Sequence, residues 1–225
     1  MASRDNVTDR RSFLKAAGGA AAAATVAGCL GGKQGSGGGG DGGGGGPLTY
    51  SRGKDSSTLD PQATTSGEDA KVMNQIFDRL IHFKPGKTSL KQGLAKKYKL
   101  EGKQAKLTLQ EGVKFHNGEE FTADDFIATY RRFLDSDYEH YVGESNASVY
   151  GPYLLGKVKD VKKNGKYKLT FDIDQKYAPF LANLAVFALA VLSKKQIEND
   201  GGKISDKPVG TGAFEFKNWN SGNGT

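Results

Sequence analysis

The sequence contains one cysteine in 225 residues, Cys29. The chain can therefore form no internal disulfide and no cysteine-based zinc site. Its three histidines, His82, His116 and His140, stand without metal-ligand spacing, so no metal is expected. His82 lies in a strand-like run and reads as a packed histidine; His116 precedes a turn and reads as bonding locally. Apolar runs are short. Residues 16–27 are weakly apolar over 12 positions, where a membrane-spanning helix needs roughly 20. No serine sits in a nucleophile elbow. The glycine-rich tract has no strand before it and no helix after it, so it is not a phosphate-binding loop. The residues offer no catalytic site and no cofactor.

What the chain has in excess is glycine and positive charge. Of the 32 glycines, 12 fall within residues 31–46. Such a tract cannot bury enough apolar surface to order itself. It reads as a flexible tether of roughly 20–25 Å root-mean-square span. The net charge is +7, of which Arg4, Arg10, Arg11 and Lys15, set against Asp5 and Asp9, carry a part. The remaining lysines, such as Lys96, Lys97, Lys99, Lys103 and Lys106, are scattered, and the aromatics near lysines fall mostly at alternating positions that suit strands. The lysines read as a solvated strand surface, so no nucleic-acid partner is expected.

Residues 1–28 read as a targeting segment. Arg10, Arg11, Ser12, Phe13, Leu14 and Lys15 resemble a twin-arginine export signal. Val26, Ala27, Gly28 and Cys29 resemble a lipobox, in which the cysteine becomes the lipidated first residue of the mature protein. The expected organisation is a signal over 1–28, a linker over 29–47 and a folded part from 48 onward.

Local signals in the folded part agree with one another. Leu48, Thr49 and Tyr50 read as a short strand. Ser66 and Asp69 are spaced as a capping box, and Val72, Met73, Ile76, Phe77 and Leu80 form the apolar stripe behind it. Residues 98–101 and 105–110 read as strands around Gly102. Asn117-Gly118 is a tight-turn signal. Thr122 and Asp125 form a second capping box, opening a helix with apolar face Phe126, Ile127, Tyr130, Phe133 and Leu134. Arg131 and Arg132 suit its C-terminal dipole. Glu119, Glu120, Asp124 and Asp125 look like a carboxylate cluster, but acids collect at helix N-termini for electrostatic reasons, and capping is the better reading. Residues 135–156 read as irregular. Residues 157–163 and 166–174 form a hairpin across Asn164-Gly165, and residues 193–199 a helix.

Six segments in order carry a family resemblance: LDP at 59–61, IFDRL at 76–80, LAKKY at 94–98, the block 109–134, YAPFL at 177–181 and PVGTGAF at 208–214. Together they resemble the extracellular solute-binding proteins of peptide and nickel ABC importers, family 5. Ala213 stands where that family often has proline. The resemblance implies a mixed α/β fold of the periplasmic-binding-protein type II class: an incomplete lobe I (48–80 and 166–225) with a smaller inserted α+β lobe (81–165). It implies a receptor, not an enzyme, that takes a peptide or other small solute to ABC permease subunits from the outer face of the cytoplasmic membrane. By the same resemblance the loop after LDP, Thr64, Thr65, Ser66 and Gly67, faces the ligand, and Tyr138 or Tyr141 reaches it. Family members are more than twice as long, so a truncated form is expected, with weak solute binding by this chain alone. The competing readings are a secreted, lipid-anchored hydrolase and a non-binding surface lipoprotein.

Overall fold

The computed structural model describes residues 49–144, 146–200 and 202–220. The expected signal, the lipobox with Cys29 and the whole of the glycine linker lie outside these residues. From Arg52 onward the described chain belongs to one compact unit. Thr49 and Tyr50, expected in a strand, have no regular structure.

Helix α1 spans Gly67–Ile76. Ser66 caps it by accepting from the Asp69 amide at 3.4 Å. The reciprocal half of the expected box is missing, because the Asp69 carboxylate is bonded elsewhere. Met73 and Ile76 face inward, and the chain leaves the helix at Phe77 in extended geometry. A two-stranded antiparallel hairpin follows, β1 (Ile81–Phe83) and β2 (Leu90–Gln92).

Strands β3 (Ala95–Glu101), β4 (Gln104–Leu109), β5 (Val158–Lys163) and β6 (Lys168–Ile173) make one antiparallel sheet in the order β3-β4-β6-β5. Side chains alternate across it as the period of two requires. Ala105, Leu107 and Leu109 of β4 and Leu169, Phe171 and Ile173 of β6 are buried. Gly165, at φ 90°, makes the turn that joins β5 to β6. The expected boundary between 165 and 166 divides this sheet, because β6 pairs with β4 on one side and β5 on the other.

Helix α2 (Ala123–Leu134) lies on the buried side of the sheet. Its capping box is complete, with Thr122 and Asp125 each satisfying the other's backbone. Phe126 meets Phe171 edge-on at 5.4 Å between ring centres, and Phe171 meets Phe180 at 5.3 Å. These three rings are at most 1% exposed and form the centre of the main core. Helix α3 (Tyr150–Leu155) falls inside the stretch expected to be irregular. Helix α4 (Phe180–Asn183), a 3-10 turn over Phe187–Leu189 and helix α5 (Lys194–Asn199, capped by Ser193) follow. A second apolar cluster joins Met73, Ile76 and Phe77 of the α1 end to Ala128 of α2 and to Leu192, Ile197 and Ile204.

No strand forms over 208–214. Its amides bond to the carbonyl end of α1 instead of to a ladder, Gly212 to Ile76 at 2.8 Å and Phe214 to Gln75 at 3.1 Å. A Cβ on Gly210 or Gly212 would run into the Ile76 and Gln75 carbonyl oxygens, so glycine permits this approach.

Candidate functional site

The loop 64–67 is fixed from below by one carboxylate. Asp69, 1% exposed, accepts from the Ser57 amide at 3.0 Å, the Ser57 hydroxyl at 2.6 Å and the Thr64 hydroxyl at 2.7 Å. The Thr64 oxygen in turn accepts from the Ser66 amide at 2.9 Å. Thr64 is thus buried and fully engaged. Thr65 and Gly67 are exposed, and Ser66 is half-buried at the helix cap. A side chain at Gly67 would meet nothing within 4 Å. The open part of this loop is Thr65, the Ser66 rim and Gly67.

Tyr138 and Tyr141 are half-buried. The Tyr138 ring carries the Arg131 guanidinium 4.6 Å from its centre and stands edge-on to His140 at 5.5 Å. Burial, aided by the negative charge of Glu198, pushes the Tyr138 hydroxyl above its usual value. Tyr138 is therefore a packing residue on the second apolar cluster. Tyr141 donates its amide to the Tyr138 carbonyl at 2.8 Å.

Behind both segments lies a buried polar network that the sequence pattern did not announce. Arg132 bonds Asp60 Oδ2 at 2.6 Å, Gln62 Oε1 at 2.6 Å and the Gly202 carbonyl at 2.7 Å. Gln62 donates to the Thr129 carbonyl at 2.7 Å, and its own carbonyl accepts from the Ser148 amide at 2.7 Å. The Arg132 carbonyl accepts from the Val142 amide at 2.9 Å. Asp60, Gln62 and Arg132 are 6%, 0% and 2% exposed. This network ties the chain just before 64–67 to the chain just after 138–141. Arg132 reads in sequence as dipole compensation, but it follows Asp125, Ala128 and Thr129 at three- and four-residue steps along the inward stripe of α2. That spacing is the signal that could have placed it inside.

The carboxylates at the start of α2 are structural. Asp125 accepts from the Thr122 amide at 2.8 Å and from the Lys194 amide at 2.9 Å, so one side chain caps two helices. Asp124 pairs with Lys163, Glu120 with Lys166 and Tyr167, and Glu119 with Lys195. His82, buried, lies between Asp78 at 3.2 Å and Arg79 at 2.8 Å. His116 bonds residues 210 and 212, far along the chain, rather than locally. Among the described residues no group of three His, Cys, Asp or Glu side chains could hold a metal, and no helix is long and apolar enough to cross a membrane. A shallow hollow of about 470 Å³ lies between Ser205, Asp206 and Lys207 on one side and Phe216 and Trp219 on the other; neither expected contact segment lines it.

Comparison with known proteins gives this geometry its context. The chain is 30% identical over 189 residues to the dipeptide-binding protein of Escherichia coli, a match covering 76% of this chain and 35% of that protein. It is 29% identical over 160 residues to heme-binding protein A of Haemophilus influenzae, covering 63% of this chain and 29% of that protein. Among solved structures, the periplasmic binding protein DppA of Helicobacter pylori in complex with the peptide STSA superposes with a TM-score of 0.68 at 31% identity, over 75% of this chain and 36% of that one. The chain thus spans about a third of the length of these relatives. Its mixed α/β fold is part of the periplasmic-binding-protein type II class. The model for bacterial extracellular solute-binding proteins, family 5 Middle, matches residues 89–225, more than half of the chain. With the ordered sheet, the α2 block and the 207–214 segment in place, the chain belongs to the bacterial extracellular solute-binding proteins, family 5.

Proposed function

We propose that the protein is an extracytoplasmic solute receptor, with short peptides as its first cargo, that delivers to an ABC importer. The observation that carries this reading is the family match over 89–225, supported by a relative solved with a bound peptide. Solute contact falls to Thr65, Ser66 and Gly67 on one segment and to Tyr141 on the other. Thr64 and Tyr138 hold those surfaces in place through the Asp69 hub and the Arg131 stack. Binding needs a cleft with a few convergent hydrogen-bonding groups, and the exposed Thr65 with the half-buried Ser66 beside Gly67 supplies such groups without any catalytic side chain. The amino-terminal segment extends the proposal: Arg10 and Arg11 direct export by the twin-arginine route, and Cys29 carries the lipid that holds the protein at the outer face of the membrane.

Cells lacking the protein are expected to lose uptake of a labelled dipeptide at limiting concentration. Uptake of nickel–histidine and of haem serves as the comparison, since a haem-binding relative shares the framework. Unchanged dipeptide uptake would overturn the peptide reading, and unchanged uptake of all three would overturn the receptor. Titration calorimetry on the isolated 225 residues is expected to show binding weaker than micromolar, because the exposed loop at 65–67 by itself covers little of a ligand's surface.

A further inference from the structure

Three bonds run from one residue of the α2 block to the segment 207–214. The His116 amide donates to the Gly210 carbonyl at 2.9 Å. The Gly210 amide donates to His116 Nδ1 at 3.4 Å, and His116 Nε2 meets the Gly212 carbonyl at 3.0 Å. The chemistry of the partners fixes the ring. A backbone amide can only donate, so Nδ1 must carry a free lone pair. A carbonyl can only accept, so Nε2 must carry the proton. The arrangement is complete only with a neutral imidazole in one tautomer.

On its other side the same segment is bonded to the carbonyl end of α1 through the Gly212 and Phe214 amides. Thr211 reaches Asp78 at 3.2 Å, and Gln196 of α5 holds Lys207 and Val209 at 2.6 and 3.2 Å. The segment is thus a strap caught between the turn at 115–118 and the end of α1. His116 is half-buried on a turn whose next three residues are exposed, so water can reach it.

We propose that His116 is a proton-released pin: while neutral it locks the 207–214 strap onto the end of α1, and its protonation frees that strap. A proton on Nδ1 removes the acceptor for Gly210 and sets two N–H groups against each other, while the Nε2 bond to Gly212 survives. The charged groups on the surrounding elements are Lys114, Glu119 and Glu120 on the turn, Lys207 on the strap, Lys194, Lys195 and Glu198 on α5, and Asp78 and Arg79 after α1. Glu119 is taken up by Lys195, Glu120 by Lys166 and Asp78 by His82 and Thr211. The pin does not depend on solute binding, and its failure would leave the receptor reading untouched.

Amide hydrogen exchange on the full chain tests it. After correction for intrinsic rates, the Gly210 and Gly212 amides are expected to lose at least about tenfold protection between about pH 7.5 and about pH 5, while Leu107 in the sheet keeps its own. In His116→Gln, which offers a donor and an acceptor that do not titrate, protection at 210 and 212 is expected to be independent of pH. No loss in the wild type, or the same loss in the variant, overturns the proposal. Should the variant not fold, the wild type decides by itself. The midpoint of the His116 ring NMR titration must coincide with the loss at Gly210, and a midpoint elsewhere overturns the pin.

Discussion

The sheet β3-β4-β6-β5 and the irregular segment 56–66 both lean on α2, and they are held by opposite means. The sheet meets Phe126, and its contacts are rings and aliphatic chains in van der Waals contact. The irregular segment meets Thr129 and Arg132, and its contacts are hydrogen bonds and an ion pair removed from water. A regular ladder satisfies its own backbone, so only side-chain packing has to be supplied. An irregular segment has no ladder, and each buried amide and carbonyl needs a named partner. That is why Asp60, Gln62, Asp69 and Ser205 crowd into one loop region. The apolar half should degrade gradually with lost volume, whereas the polar half should fail when one charge is left unpaired.

The two largest expected effects fall one on each side. Arg132→Ala strands a buried Asp60 and is expected to cost about 3–5 kcal/mol in urea unfolding. The double change Asp60→Leu with Arg132→Met should recover most of that loss, since replacing a buried ion pair by apolar groups is often close to neutral. Phe171→Ala opens the centre of the ring stack and should cost about 3–5 kcal/mol, measured the same way. Equal behaviour of the two sites under compensating second changes would break the comparison. Next comes Gly210→Ala, which forces a methyl group against the Ile76 carbonyl and is expected to cost about 1–3 kcal/mol of thermal stability.

The smallest effect is a pH dependence. Burial pushes the Asp125 carboxyl above its usual value, against the downward pull of the Lys194 and Thr122 amides. An acid raised in the folded state contributes stability that is complete below the unfolded value of about 3.9 and fades as pH rises through the folded one. Wild type is therefore expected to lose stability relative to Asp125→Asn as pH rises above the unfolded value of about 3.9 in urea titrations. A difference that widens in favour of wild type would show that the two backbone amides outweigh burial at this site.

Much of the apolar half was legible in the sequence. The Thr122–Asp125 box, the stripe behind it and the Asn164-Gly165 hairpin are local signals, and each forms as read. The polar half was not legible, because its partners are distant: Asp60 and Arg132 lie 72 residues apart, and His116 and Gly212 lie 96 apart. Spacing rules act over a few residues and cannot pair such groups. The segment 208–214 carries a family marker but no local signal that names its partner. Its amides found the free carbonyls at the end of α1, a choice that only the folded backbone makes available. Of the residues expected to face the ligand, Thr64 is buried, and its hydroxyl is directed at Asp69 and not at solvent.

The order of the sheet carries a last consequence. Among the described residues β5 is an outer strand, and of its six residues Lys159, Asp160, Lys162 and Lys163 are exposed while its pairing with β6 shifts register between Val158 and Asp160. A second copy adding itself there would have to strip water from four charges and match a kinked edge. Self-association by strand addition is therefore disfavoured at the place where an antiparallel sheet is most open to it.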